Sequence, residues 1–376
     1  MKRRLLPVVV FLSILTGLIA ASHAYLYHRL VASPAWGPPW DRLGLGLFVG
    51  LALLAPATMV GARLTGRPAS VWLAGLGYGW LGVLLMLLTA LGVAETLRPA
   101  LVTAWGEPAT SQNLALAVLG LVGLATVWGV YRALGPPRVV RVPVVLPRLP
   151  PEATGFSLVQ LSDVHIGPML GRGFLERVVA AVNALDADAV VITGDLVDGS
   201  VERLREHVAP LADLRARHGV FFVTGNHEYY SGAPEWVAAL EALGVTVLRN
   251  QHVPLGPIDL AGVDDFNAFG EGHGRDLEAA LRGRDPGRPV VLLAHQPRQV
   301  VEAATHGVDL QLSGHTHGGQ IFPWNFFVRL QQPYVAGLVD HEGTQLYTSR
   351  GTGYWGPPLR VAAPAEITLV ELRSTS

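Results

Sequence analysis

Residues 189–198 read AVVITGDLVD. Four apolar residues run together, then come a threonine, Gly194 and Asp195. A strand with one wet face alternates apolar and polar side chains, whereas an unbroken β-branched run is buried on both faces. Strands of that kind belong to covered sheets, and in α/β sheets ligands bind beyond the carboxyl ends of the strands. The stretch thus predicts a buried strand that ends by delivering a carboxylate where sites form.

The same grammar recurs. FSLVQLS (156–162) runs into Asp163 and His165, and VFFVT (220–224) into Asn226, His227 and Glu228. VVLLA (290–294) runs into His295, and LQLS (310–313) into His315 and His317. Asp198 follows Asp195 on the opening stretch, and QLYTS (345–349) and ITLVEL (367–372) read as further strands. Residues 174–185 place Phe174, Leu175, Val178, Val182 and Leu185 on one helical face, and 234–243 and 298–305 also read as helices. The expected fold class is α/β, with a sheet covered on both faces. Gly194, Gly225 and Gly314 are expected to let the backbone turn sharply at the strand ends.

Singly, each feature has a plain reading. A histidine after a strand is more often structural, and an aspartate after glycine is more often a turn residue or a helix cap. Five strand ends carrying Asp, His and Asn together favour a site. The chain has no cysteine, so thiolate ligands are excluded. Oxygen and imidazole donors match Mn, Fe or Zn. Two such ions sharing a carboxylate can clamp both oxygens of a displacement at phosphorus.

The series D-x-H, GDxxD, GNHE, H and GHTH, in this order over most of residues 155–372, resembles the calcineurin-like metallophosphoesterase superfamily. That resemblance implies a double β-sandwich flanked by helices around two divalent metal ions. It implies that Asp163, His165 and His317 hold one metal, that Asn226, His295 and His315 hold the other, and that Asp195 bridges them. It makes His227 the non-ligand histidine beside the leaving group and Asp198 its orienting partner.

The first 134 residues have another texture. The chain is 50% hydrophobic and only 15% charged, against about 25% charged in soluble domains. Apolar runs cover 5–27, 43–62, 71–93 and 113–134. Roughly 20 apolar residues cross a ~30 Å hydrocarbon core as a helix. An all-α bundle of four transmembrane helices is therefore expected over 1–134, followed by a proline-rich linker at 135–151 and the α/β domain at 152–376. The first run also resembles a secretory signal ending at "SHA" (22–24), but three more spans favour a retained helix. With the N-terminus inside, nine Lys and Arg fall in inner segments and three in outer loops, which predicts a multi-pass cell (inner) membrane protein with a cytoplasmic C-terminal domain. No acidic residue lies deep in a run, so anchoring is favoured over transport.

Residues 1–150 hold 12 basic and 3 acidic residues, leaving 16 basic and 26 acidic for the remainder. Such an acidic domain is a poor match for nucleic acid. After the GHTH turn, Phe322, Trp324, Phe326 and Phe327, with Tyr354 and Trp355 further on, read as an apolar lip for bilayer or acyl chain, against ordinary core packing. Arg298, Arg350 and Arg360 are expected phosphate contacts, with Trp324 and Phe327 on the lipid side. The layout of spans plus domain resembles transmembrane proteins with a metallophosphoesterase domain and their bacterial relatives, some of which hydrolyse lipid-linked pyrophosphates such as UDP-2,3-diacylglucosamine. The substrate expected is therefore a phosphodiester or pyrophosphate of a lipid-linked molecule. The alternatives are the same chemistry on a soluble nucleotide, or a non-catalytic membrane scaffold.

Overall fold

A computed structural model describes residues 2–64 and 69–375. The chain divides into two compact units, Met1–Gly129 with Gly356–Pro358, and Val130–Trp355 with Leu359–Ser376.

The first unit is helical: α1 (Lys2–Tyr27), α2 (Trp40–Leu64), α3 (Ala69–Trp105) and α4 (Ala109–Leu134), whose last residues belong to the second unit. Among the described residues, three helices are long and apolar enough to cross a membrane: Trp40–Thr58, Ala69–Trp105 and Ala109–Leu134. The expected span at 5–27 falls in α1, and the side chains of residues 2–9, 11 and 12 lie outside the described ones. α3 does not stop near residue 93 as its hydropathy suggests. It continues for a total of 37 residues because the charges that end the apolar run satisfy one another. Glu95 pairs with Arg29 at 2.5 Å and with Arg98 at 3.1 Å, and Arg98 also pairs with Glu107. The imidazole of His23 is satisfied on both nitrogens, by Ile19 O at 2.7 Å and Trp80 Nε1 at 3.0 Å.

The second unit is built from β1 (Arg138–Val145), β2 (Ser157–Leu161), α5 (Arg172–Asn183), β3 (Ala189–Thr193), α6 (Val201–Val208) and β4 (Val220–Val223). The chain continues through α7 (Asn226–Ser231), α8 (Ala233–Ala242), β5 (Thr246–Val247), β6 (Gln251–Leu255), β7 (Ile258–Gly262) and α9 (Leu277–Leu281). It ends with β8 (Val290–Leu293), α10 (Val300–Thr305), β9 (Leu310–Ser313), α11 (Trp324–Val328), β10 (Gly337–His341), β11 (Thr344–Thr348) and β12 (Glu366–Arg373).

These strands form two six-stranded mixed sheets, ordered β1-β12-β2-β3-β4-β5 and β10-β11-β9-β8-β7-β6. The strands read as covered on both faces form two sheets face to face, each with helices on its outer side, which is the double β-sandwich that the resemblance implies. β3 shows why its run is apolar throughout. Val190 and Ile192 pack outward with Leu175 and Val178 of α5, while Ala189 and Val191 pack inward with Leu260, Val291 and Leu293 of the second sheet. Both faces of the strand are dry, one against helices and one against strands. Each fully buried Val or Ile contributes roughly 1.5–3 kcal/mol.

The expected linker at 135–151 is also different. Arg138–Val145 is a strand, paired in parallel with β12 from Arg138↔Glu366 to Val145↔Arg373. It lies at a sheet edge, where Pro143 removes no ladder hydrogen bond and the arginines reach water. These residues bury Val142 and Val144 on the inter-sheet core.

Candidate metal centre

β2, β3 and β4 are parallel in one sheet and β7, β8 and β9 are parallel in the other. Their carboxyl ends therefore gather at one edge of the sandwich. Backbone bonds continue past the strands: Asp163 N donates to Gly194 O (3.1 Å), His165 N to Asp195 O (3.1 Å) and Gly314 N to His295 O (2.9 Å). The ligand atoms of Asp163, His165 and His317 come within 4.8 Å of one another, and so do those of Asp195, His295 and His315. A third group, His165, Asp198 and His227, joins the first through His165.

The expected glycine turns are only part of how the edge is made. Five of the site residues themselves adopt left-handed backbone, Asp163 (φ 51°), His165 (51°), Asp195 (52°), His315 (69°) and His317 (50°). Positive φ in non-glycine residues is uncommon and strained, and such strain persists where the surroundings enforce it. Gly194 shares that conformation (φ 84°). Gly225 and Gly314 are needed for a different reason. A Cβ at Gly225 would collide with the Asp195 carboxylate, and one at Gly314 with the Ser162 hydroxyl and the Asp163 carboxylate.

The donors face one another. His165 Nε2 lies 3.0 Å from His317 Nε2, and His315 Nδ1 lies 3.2 Å from His295 Nε2. Asp195 Oδ2 is 3.1 Å from His295 Nε2 and 4.0 Å from His165 Nε2, so it stands between the two groups. The outward nitrogens are held by acceptors: His295 Nδ1 by Thr193 O (2.7 Å) and His165 Nδ1 by Asp198 Oδ1 (3.0 Å). Those acceptors keep a proton on each Nδ1 and leave each Nε2 as a lone pair aimed inward. A single proton can join only one such pair, whereas a cation joins all the donors at once. Asn226 is buried, and its Oδ1 has no hydrogen-bond partner among the described residues. An orphaned amide oxygen, one residue before the His227 N–H that donates to Asp195 Oδ1, together with the converging imidazoles suits the donor set of a hard or borderline divalent metal. The residues present fit a metal pair.

The charges agree. Burial would raise the Asp195 carboxyl, but the His295, His227 and His165 imidazoles hold it well below the usual carboxylate range. Burial and the charge of His295 push the His315 imidazole down to about 3, so it stays a neutral donor. Burial alone would lower His227, yet the Asp198 hydrogen bond and the charges of Asp195, Asp198 and Glu228 raise it to about 9. Its Nδ1 lies 2.6 Å from Asp198 Oδ1, the same oxygen that holds His165.

Two residues of the site, Glu228 and Asp265, have no role in the sequence reading. Glu228 is buried, and its carboxylate accepts from Asp195 N (3.0 Å) and Gly225 N (2.7 Å) on one oxygen and Leu196 N (2.8 Å) on the other. It staples two strand-end loops together, and burial with the nearby Asp195 charge raises it to about 7. Its place after His227 in GNHE was the available signal. Asp265, after β7, is a sixth strand end carrying an acid, and its carboxylate accepts from Gln296 Nε2 at 3.1 Å.

The expected substrate arginines are otherwise engaged. Arg360 is fully buried and donates to the carbonyls of His317 (3.0 Å) and Ala363 (3.2 Å), bracing the turn rather than facing a ligand. Arg350 Nη1 lies 3.0 Å from Oε2 of the buried Glu366, a carboxylate that requires a cation. Arg298 stacks its guanidinium 4.6 Å above the Phe266 ring. Of the expected lip, Phe322, Trp324, Phe326, Phe327 and Trp355 are exposed, as is Leu330, whereas Tyr354 belongs to the core.

Comparison with known proteins agrees with this geometry. Residues 156–319 match the calcineurin-like phosphoesterase family. A transmembrane protein with metallophosphoesterase domain from Danio rerio is 37% identical over 399 residues, covering 99% of this chain and 91% of that one. An uncharacterized metallophosphoesterase from Helicobacter pylori strain J99 is 43% identical over 247 residues, which are 65% of this chain and 66% of that protein's length. A solved dimetal phosphatase from Danio rerio is similar at TM-score 0.35 and 15% identity, over 53% of this chain and 88% of that one, too low a likeness to bear on function. Motif order, sandwich and relatives agree: the chain belongs to the calcineurin-like metallophosphoesterase family.

Proposed function

We propose that this chain is a membrane-anchored phosphoesterase that uses two divalent ions, Mn, Fe or Zn, to hydrolyse a phosphodiester or pyrophosphate bond of a lipid-linked substrate, such as a UDP-diacylglucosamine-type molecule. The observation that carries the reading is the inward convergence of Asp195 Oδ2, His295 Nε2 and His315 Nδ1 beside the orphaned Asn226 oxygen. Asp163, His165 and His317 would hold one ion and Asn226, His295 and His315 the other, with Asp195 available to both groups. Ions held there would supply Lewis-acid polarisation of a phosphoryl oxygen and activation of a water near neutral pH.

The chain's own residues do the remaining work. Asp198 fixes the His227 ring by its Nδ1, which leaves Nε2 free to hold a proton for the leaving oxygen. Glu228 holds the loops of Asp195 and Asn226 at a constant separation. Arg360 keeps the His317 turn in its left-handed conformation by tying its carbonyl.

Membrane attachment rests on the apolar helices, read as four spans with the catalytic unit on the cytoplasmic side of the cell (inner) membrane. The basic bias of the inner segments supports that sidedness. The lipid-linked substrate is supported by the exposed aromatic segment that begins five residues after His317.

The test uses the full-length protein in detergent with a soluble phosphodiester and a panel of lipid phosphates, with and without Mn²⁺, beside metal analysis. Two ions per chain and metal-dependent hydrolysis are expected. In His227→Ala, turnover should fall by about 10²–10⁴ while both ions remain. Hydrolysis that persists in that variant refutes the role of His227, and a metal-free protein that hydrolyses equally well refutes the whole reading.

A further inference from the structure

His227 stands between two aromatic rings. Tyr230, on the same short helix α7, sets its ring 5.5 Å from the imidazole at 67°. Trp355 sets its indole 5.6 Å away at 77°. Both contacts are edge-to-face, the ordinary geometry of packed aromatics. Ordinary packing would also bury them, and it does not: Tyr230 is 66% exposed and Trp355 54%, while the adjacent Tyr354 is only 4% exposed.

The backbone that carries the indole is held at two points. The Gln320 carboxamide accepts from Trp355 N (3.0 Å) and donates to Trp355 O (2.8 Å), a two-point grip on the backbone. Gln320 is buried and adopts φ 54°, three residues after His317. The turn that carries two of the inward imidazoles thus also positions Trp355. Cations that could recognise a second charged group are committed elsewhere, Arg350 to Glu366, Arg360 to backbone carbonyls and Arg298 to Phe266. Beyond the Asp198 and Asp195 carboxylates, what flanks His227 is the ring surface of Tyr230 and Trp355.

Resting on the phosphoesterase reading above, we propose that Tyr230 and Trp355 form a two-ring binding site for the leaving group, and that the group departing past His227 carries a flat aromatic ring, either a simple aryl or a nucleobase. Both residues are exposed beside His227, and a planar group stacks on such surfaces without any fixed hydrogen-bond pattern.

The experiment is equilibrium binding to the full-length Mn²⁺-loaded protein in detergent, read by quenching of tryptophan fluorescence. The probes are phenyl phosphate, uridine 5′-monophosphate, and glycerol phosphate and dodecyl phosphate as ringless controls. At least one ringed probe should bind about tenfold tighter than glycerol phosphate, within the range that one stacked base contributes. Preference for phenyl or for uridine identifies the source of the ring. Trp355→Ala and Tyr230→Ala should each lower that preference several-fold, and Trp355→Phe, which keeps a ring and controls for folding, should restore it. Equal binding of ringed and ringless probes overturns the site, as does a ring preference that survives the double alanine variant. Tighter binding of dodecyl than of phenyl phosphate also overturns it, in favour of an acyl chain. Binding is read without turnover, so failure of the phosphoesterase reading and failure of the ring site appear in different measurements.

Discussion

Five residues separate two opposite departures from ordinary burial. At His317, ionisable groups lie in the interior: Asp163, His165, Asp195 and His295 are all buried. From Phe322 to Leu330, large apolar groups lie on the outside, and α11 buries none of its residues. A buried charged cluster and an exposed aromatic patch are each informative because each is costly in water unless something answers it. The first departure calls for cations, and the second calls for an apolar surface or chain. The contrast teaches that one edge of this sandwich carries two opposite features, a buried donor set that fits metal ions and an exposed apolar segment.

The strongest way to break that comparison is to empty the polar side. Asp195 stands 3.1 Å from His295 and 4.0 Å from His165, so it alone joins the two imidazole groups. In Asp195→Ala, metal analysis should show loss of at least one ion per chain, and hydrolysis of a soluble phosphodiester should drop below detection. An Asp195→Ala protein that keeps two ions and turns over substrate would show that the convergence has another purpose. A smaller effect is expected one step outward. Asp198 Oδ1 holds both His165 and His227, so Asp198→Asn should reduce turnover by about 10–100-fold. Because a carboxamide can still orient one ring but not draw protons from two, metal content should change less than rate. An equal loss of both would make Asp198 a ligand instead.

The polar side was legible in the sequence because each donor follows directly on a strand, and strand ends can be read from apolar runs. What could not be read were groups whose partners are backbone atoms of distant segments. Glu228 answers amides at 195, 196 and 225, and Arg360 answers a carbonyl at 317. Nothing in local composition announces such bonds. The second sheet was half visible for a related reason. In β7 the run is interrupted by Asp259, whose charge is answered by Arg288 at 2.8 Å only once the fold exists. In β1, Pro143 and two arginines imitate a linker, although edge strands tolerate both. α3 overran its predicted end because Glu95, Arg98 and Glu107 satisfy one another.

The apolar side offers the mildest test, and the expected size of the effect follows from how the segment is held. Gly319 packs directly on the Asn325 backbone, and the buried Gln332 donates to Gln296 Oε1 at 3.0 Å, next in sequence to His295. The aromatic segment is therefore fixed to the polar side at both ends and does not swing as a loose flap. Replacing Trp324, Phe326 and Phe327 together by serine removes exposed apolar surface while leaving these two attachments intact. If the segment meets a bilayer or an acyl chain, kcat/KM for a lipid phosphate presented in vesicles should fall relative to that for a soluble phosphodiester. Three aromatic side chains could contribute several kcal/mol if fully buried, but the helical anchor already supplies a high effective concentration at the membrane. The selectivity should therefore fall by only about tenfold. A ratio unmoved by the triple substitution would assign the exposed rings to neither bilayer nor substrate, and the outer half of the comparison would lose its partner while the metal half stood.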